Sequence, residues 1–195
     1  MIDVQIILSK QFQQIIAWHN VLNETETLLP WQFIEENNKH NFSLWHEEDI
    51  ARMTTIGLDR IVIAKRNIDK YNQARNNAME KIDEWILSNL IVSKKIEIIP
   101  IHSETPGMMI DRLSIMNLKK YHFIEETKRF NIDDAHLEMC NNRIAILNEQ
   151  IGDLANSLKL ILGRIYTGEL RFKVYRQFKM YNDPKLNPQL YKQQL

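Results

Sequence analysis

The sequence predicts an all-α chain, folded as a single-domain bundle of about six helices with one long central helix. Three observations carry that expectation. Only five glycines and five prolines occur in 195 residues, so raw material for tight hairpins is scarce. Leu, Ile, Met, Glu, Lys, Gln and Arg, which cost little in a helix, dominate the rest. Apolar residues recur at steps of three and four between polar breaks, the periodicity of helices that bury one face.

Taken in order, Ile2 to Leu22 reads as an amphipathic helix through Phe12, Ile15, Ile16, Trp18 and Leu22, with Ser9 as a candidate start. Asn23 to Pro30 is a polar break. From Trp31 the residues Phe33, Ile34, Phe42, Trp45, Ile50 and Met53 support a second helix, with a candidate interruption at Asn37 to Asn41. The third and longest runs from Leu58 to Leu90, with an inner stripe of Ile61, Lys65, Ile68, Asn72, Arg75, Met79, Ile82 and Ile86. Val92 to Ser103 reads as an extended connector, since Pro100 argues against a central strand. Thr105, Pro106 and Gly107 then start a fourth helix that runs to about Phe130, the hydroxyl suited to the cap and proline to the first turn. Asn131 to Asp134 offers a further cap, and a fifth helix follows to about Leu162, with Gly163 and Gly168 as stop signals. A short last helix from Glu169 to Met180 gives way to turns at Asp183-Pro184 and Asn187-Pro188, and from about 181 the basic tail is irregular.

Composition narrows the function classes. Hydrophobic content of 44% is ample for a sizeable core. The single cysteine, Cys140, can form no internal disulfide and excludes a cysteine-based zinc cluster, which fits a reducing compartment. The apolar start is too short for a membrane span and carries no basic leader, so the expected location is the cytoplasm. Formal net charge is zero, which makes generic nucleic-acid binding a poor fit. From Arg164 onward, however, seven basic residues stand against two acidic ones, leaving the body of the chain acidic.

Polar groups on the inner stripe of the third helix are the most informative, because charge is seldom placed toward a core without a partner. Two readings of Lys65, Asn72 and Arg75 stand side by side. In one they join a structural ion-pair network, with Asp111 or Asp49 neutralising Arg75 or Lys65. In the other they line a pocket for a small anionic ligand. Lys65, Arg75, Arg112 and Lys120 would then be the anion contacts and Asn72 and Asn76 the orienting amides; Asp49 and Asp111 would hold the basic groups, and Gly107 would open the start of the fourth helix to a phosphate. Asp111 decides between the two readings.

Two alternatives stand beside the anion pocket: a non-enzymatic adaptor or interaction protein, and a metal-dependent nucleotide hydrolase with His46, Glu47, Glu48, Asp49, Glu80 and Asp83 as ligands and magnesium as the ion; no cofactor is otherwise evident. The simpler account of those residues is a solvated acidic face, for example Glu48 paired with Arg52. His46 and His122 could serve as general acids or bases, although a lone helical histidine is usually a hydrogen-bonder. Two Trp-His pairs, at 18–19 and 45–46, are too short to count as a repeat. Aromatics at 172, 175, 178 and 181 beside basics at 173, 176 and 179 would form a helical ridge able to dock a protein partner or a membrane, or simply to pack the last helix on the bundle.

Four separated motifs, FSLWHEED at 42–49, NQARN at 72–76, SETPG with IDRLSI and LKKYH between 103 and 122, and YRQFKMYNDP with LNP between 175 and 188, resemble a bacterial domain family of unknown function. The resemblance spans most of the chain and implies no established activity. It carries an association with surface-glycan assembly, which implies a nucleotide sugar or sugar phosphate as the ligand to expect.

Overall fold

In the computed structural model, which describes residues 2–22, 26–90, 99–178, 180 and 183–192, the chain is an all-α bundle. Its helices are α1 (Val4–His19), α2 (Trp31–Arg52), α3 (Leu58–Asn89), α4 (Pro106–Glu126), α5 (Asp134–Tyr166) and the single turn α6 (Pro188–Tyr191). Among the described residues the only sheet-like pairing is an isolated parallel bridge between Ile101 and Arg171. No helix there is long and apolar enough to cross a membrane.

Side-chain caps define most of the starts. Asp3 accepts from the Gln5 amide, Thr105 from Met108 and Asp133 from His136, so each satisfies a donor that the first turn leaves free. α4 is the hub: it contacts α1, α2, α3 and α5, and α2 with α3 forms the most extensive helix pair. The apolar core gathers Ile7 of α1, Ile34 of α2, Ile82 and Ile86 of α3, Met109, Ile110 and Leu113 of α4, and Leu158, Leu162 and Ile165 of α5.

Four sequence expectations are corrected. α2 runs unbroken through Asn37 to Asn41, because those asparagines form its buried face and their amides find partners on neighbouring helices. Gly163 lies within α5, and the stop is Gly168, whose φ of 74° suits a residue without a Cβ. Lys65 is off the buried stripe of α3; Ala64 takes the inner position and the lysine side chain is 66% exposed. No helix forms over Glu169 to Met180 among the described residues. The segment leaves α5 extended, with Leu170 and Phe172 buried in the core and Arg176 paired with Glu80 (2.6 Å) and Glu84 of α3. Among the described residues the aromatics therefore form no helical ridge: Phe172 points into the core while Phe178 is 86% exposed. Tyr181, like most of the expected connector (91–98), lies outside the described residues.

Candidate functional site

Between α1, α2 and α4 the interior is polar. Asp111 accepts hydrogen bonds from the Asn37 and Asn41 side-chain amides, both at 2.9 Å. Asn41 also donates to the Ser114 hydroxyl (3.1 Å), which in turn donates to the Asn38 carbonyl oxygen (2.7 Å). Asn38 donates to the Gln11 backbone carbonyl and to the Gln14 side chain, and Gln11 bonds the Ile110 carbonyl and the Asn117 amide. All of these except Gln14 are buried, so the network is one of neutral amides arranged round a single carboxylate; within it only the buried Asn37 Oδ1 has no hydrogen-bond partner among the described residues.

Arg75 reaches that carboxylate from α3. Its Nε lies 3.6 Å from Asp111 Oδ1, an ion-pair separation that is too long for a hydrogen bond, and it has no hydrogen-bond partner among the described residues. The guanidinium borders a cleft of about 450 Å³ between α2, α3 and α4. Its other walls are Asn41, Leu44, Trp45, Glu48, Asp49, Arg52, Asn72, Ile115 and Leu118. Both readings of Asp111 thus meet in one place: it is buried and held by asparagines, yet the arginine it faces looks onto open space.

The structure divides the remaining candidates. Asn72, Arg75 and Asp49 line this cleft, and Asn76 is buried nearby on α3. Arg112 pairs with Glu104 on a different, larger cleft of about 830 Å³ between α4 and α5. Lys65 pairs with Asp69 on the outside of α3, and the Lys120 ammonium sits over the Phe12 ring. Gly107 does not open the start of α4 to a ligand. Its N–H donates to Asp83 Oδ1 at 2.7 Å, and a Cβ there would stand 2.5 Å from the Met79 carbonyl oxygen, so the glycine lets α4 abut α3. Asp83 thus occupies the place a phosphate would need. Burial pushes its carboxyl up to about 6 against the lowering effect of the bonds from Thr105 and Gly107.

The proposed magnesium ligands are likewise spread out. Glu47 binds Arg60 and Asn67, Glu48 binds Arg52, Glu80 binds Arg176, and Asp83 caps α4. Of that set only His46 belongs to a metal-sized cluster, and its neighbours there are His19 of α1 and His122 of α4. His19 is a residue the spacing argument missed, and it named His122 only as a general acid or base. The two Trp-His pairs hold two of these histidines, His19 on α1 and His46 on α2, but nothing in the pairs says that they meet in space. Burial lowers the basicity of His19 and His46, as do the neighbouring rings, and this favours the neutral imidazole with a free lone pair.

Fold and site together define an all-α bundle with a hydrogen-bonded polar interior opening on a small cleft. The chain belongs to the family described as "Protein of unknown function (DUF4254)", which matches residues 31–174 and so takes in α2 to α5. No curated protein and no solved structure matches it significantly.

Proposed function

We propose that the protein binds a small phosphorylated ligand, of the nucleotide-sugar or sugar-phosphate class, in the Arg75 cleft, with turnover as a further step and surface-glycan assembly in the cytoplasm as the setting. The observation that carries this reading is the Arg75 guanidinium. It stands at the cleft wall with its buried Nε turned to Asp111 at 3.6 Å and without a hydrogen-bond partner among the described residues, while Asp111 already accepts two from asparagines. A planar fork of donors fixed in this way suits a phosphate oxygen pair.

The rest of the lining suits the sugar. Asp49, Glu48 and Asn72 can accept from hydroxyls, and Trp45 and Leu44 provide an apolar face. A lining of both charge signs favours a ligand that carries phosphate and hydroxyl groups together over a bare anion.

The test is thermal denaturation and calorimetric titration with inorganic phosphate, sugar phosphates and nucleotide sugars. A ligand at about 100 times its Kd should stabilise the native state by about 2.7 kcal/mol. Arg75→Ala should abolish that gain and still fold, since Asp111 keeps its two amide donors. An unchanged ligand response in Arg75→Ala, or no response of the native sequence across the panel, rules the reading out.

A further inference from the structure

We infer that His19, His46 and His122 form a binding site for one divalent transition-metal ion, with zinc as the best-suited occupant. A ring nitrogen from each of the three lies within 4.8 Å of the others. The Nε2 atoms of all three are buried and have no hydrogen-bond partner among the described residues. A buried polar atom without a partner costs about 1 to 3 kcal/mol, so three of them on rings this close together call for a common partner.

The other ring nitrogens show which atoms are offered. His19 Nδ1 is 2.8 Å from the Ile15 carbonyl oxygen and His122 Nδ1 is 3.0 Å from Glu125 Oε2. Both acceptors require the proton on Nδ1, which leaves Nε2 with its lone pair. A backbone carbonyl on one histidine and a carboxylate on another are the outer contacts that metal-binding imidazoles characteristically make, since they fix the tautomer and the ring plane.

The rings are also held in place. Trp45 stacks on His122 at 4.5 Å with an interplanar angle of 7°, Tyr121 stacks on His19 at 4.1 Å, and Phe42 packs edge-on against both His19 and His46. Zinc at about 2.0–2.1 Å from each nitrogen needs the three to close in by about an ångström, within reach of small side-chain rotations. Three imidazoles with neither thiolate nor carboxylate suit zinc, cobalt, nickel or copper better than magnesium or calcium, and three protein ligands leave a fourth position for water or a ligand.

This inference does not rest on the Arg75 cleft. The full chain, without any added histidine tag, should bind zinc with one-to-one stoichiometry in calorimetry and gain several degrees in melting temperature. Cobalt loaded in place of zinc should give the visible absorption of a four-coordinate nitrogen-rich site. His46→Gln should lose saturable binding, Glu125→Gln should weaken it about tenfold, and Arg75→Ala should leave it unchanged. Should the histidine variants fail to fold, the cobalt spectrum of the native chain decides by itself. An octahedral spectrum, binding that does not saturate at one ion per chain, or unchanged zinc affinity in a folded His46→Gln overturns the inference.

Discussion

Asp83 shows how one side chain can be local architecture and a thermodynamic liability together. Its carboxylate caps the start of α4 through the Gly107 N–H, and burial holds its pKa near 6 rather than its ordinary 3.8. Between those two values the folded chain keeps a proton that the unfolded chain has released. Its stability contribution is therefore greatest below pH 3.8 and is lost as the pH rises through 6. At about 1.4 kcal/mol per pH unit that difference corresponds to about 3 kcal/mol at neutral pH. Asp83→Asn keeps an acceptor for Gly107 and cannot ionise. It is expected to be more stable than the native sequence at pH 7.5, with the gap narrowing to about a third by pH 4.5 in urea unfolding followed by circular dichroism; a gap that does not vary with pH would refute the assignment. Sequence spacing marked Gly107 as an opening for phosphate, because a glycine at a helix start looks the same whether it admits a ligand or another helix. Only the position of Met79 and Asp83 on α3 decides between them.

At the scale of elements, the asparagines of α2 explain both what the sequence revealed and what it concealed. Asn is a poor helix former, so three of them within Asn37 to Asn41 read as a break. In the structure they are the contact surface of an intact helix, and bonds to α1 and α4 outweigh the local preference. Asn38→Ala should cost about 3 kcal/mol, because it strips partners from the Ser114 hydroxyl and the Gln11 carbonyl together. Denaturant titration checks this, and a loss below 1 kcal/mol would mean that water replaces the amide without penalty. Helix starts at Thr105 and Asp133 were legible because capping chemistry is local. The position of Lys65 was not, since one residue of phase error on a long helix turns a side chain by about 100° from the core to solvent. Of the pairings left open for Arg75 or Lys65 with Asp111 or Asp49, Arg75 with Asp111 is the one that forms, because a carboxylate and a guanidinium on buried stripes have few other places to go. The meeting of His19 with His46 and His122 depends on how α1, α2 and α4 are packed, and no spacing within one helix encodes that.

For the molecule as a whole, the all-α bundle and its first five helices followed from composition and periodicity, whereas the chain after α5 did not. Leu170 and Phe172 are apolar at positions compatible with a helix, but they serve as an extended strap closing the core, tied on by Arg176 to α3. The family match covers residues 31–174, so α1 falls outside it, although Gln11 and His19 of α1 complete the polar interior and the histidine cluster. The Gln11 bonds have a further consequence in time. The two made by its side chain to α4 span 99 and 106 residues of chain, whereas α2 and α3 meet across a short turn. Closing a longer loop costs more entropy before any contact repays it, so local helix pairs have a head start. We therefore predict that α1 docks last in refolding, onto a preassembled α2 to α5 unit. In pulse-labelled hydrogen exchange the α1 amides should gain protection after those of α2 and α3, and simultaneous protection of all three would refute this order.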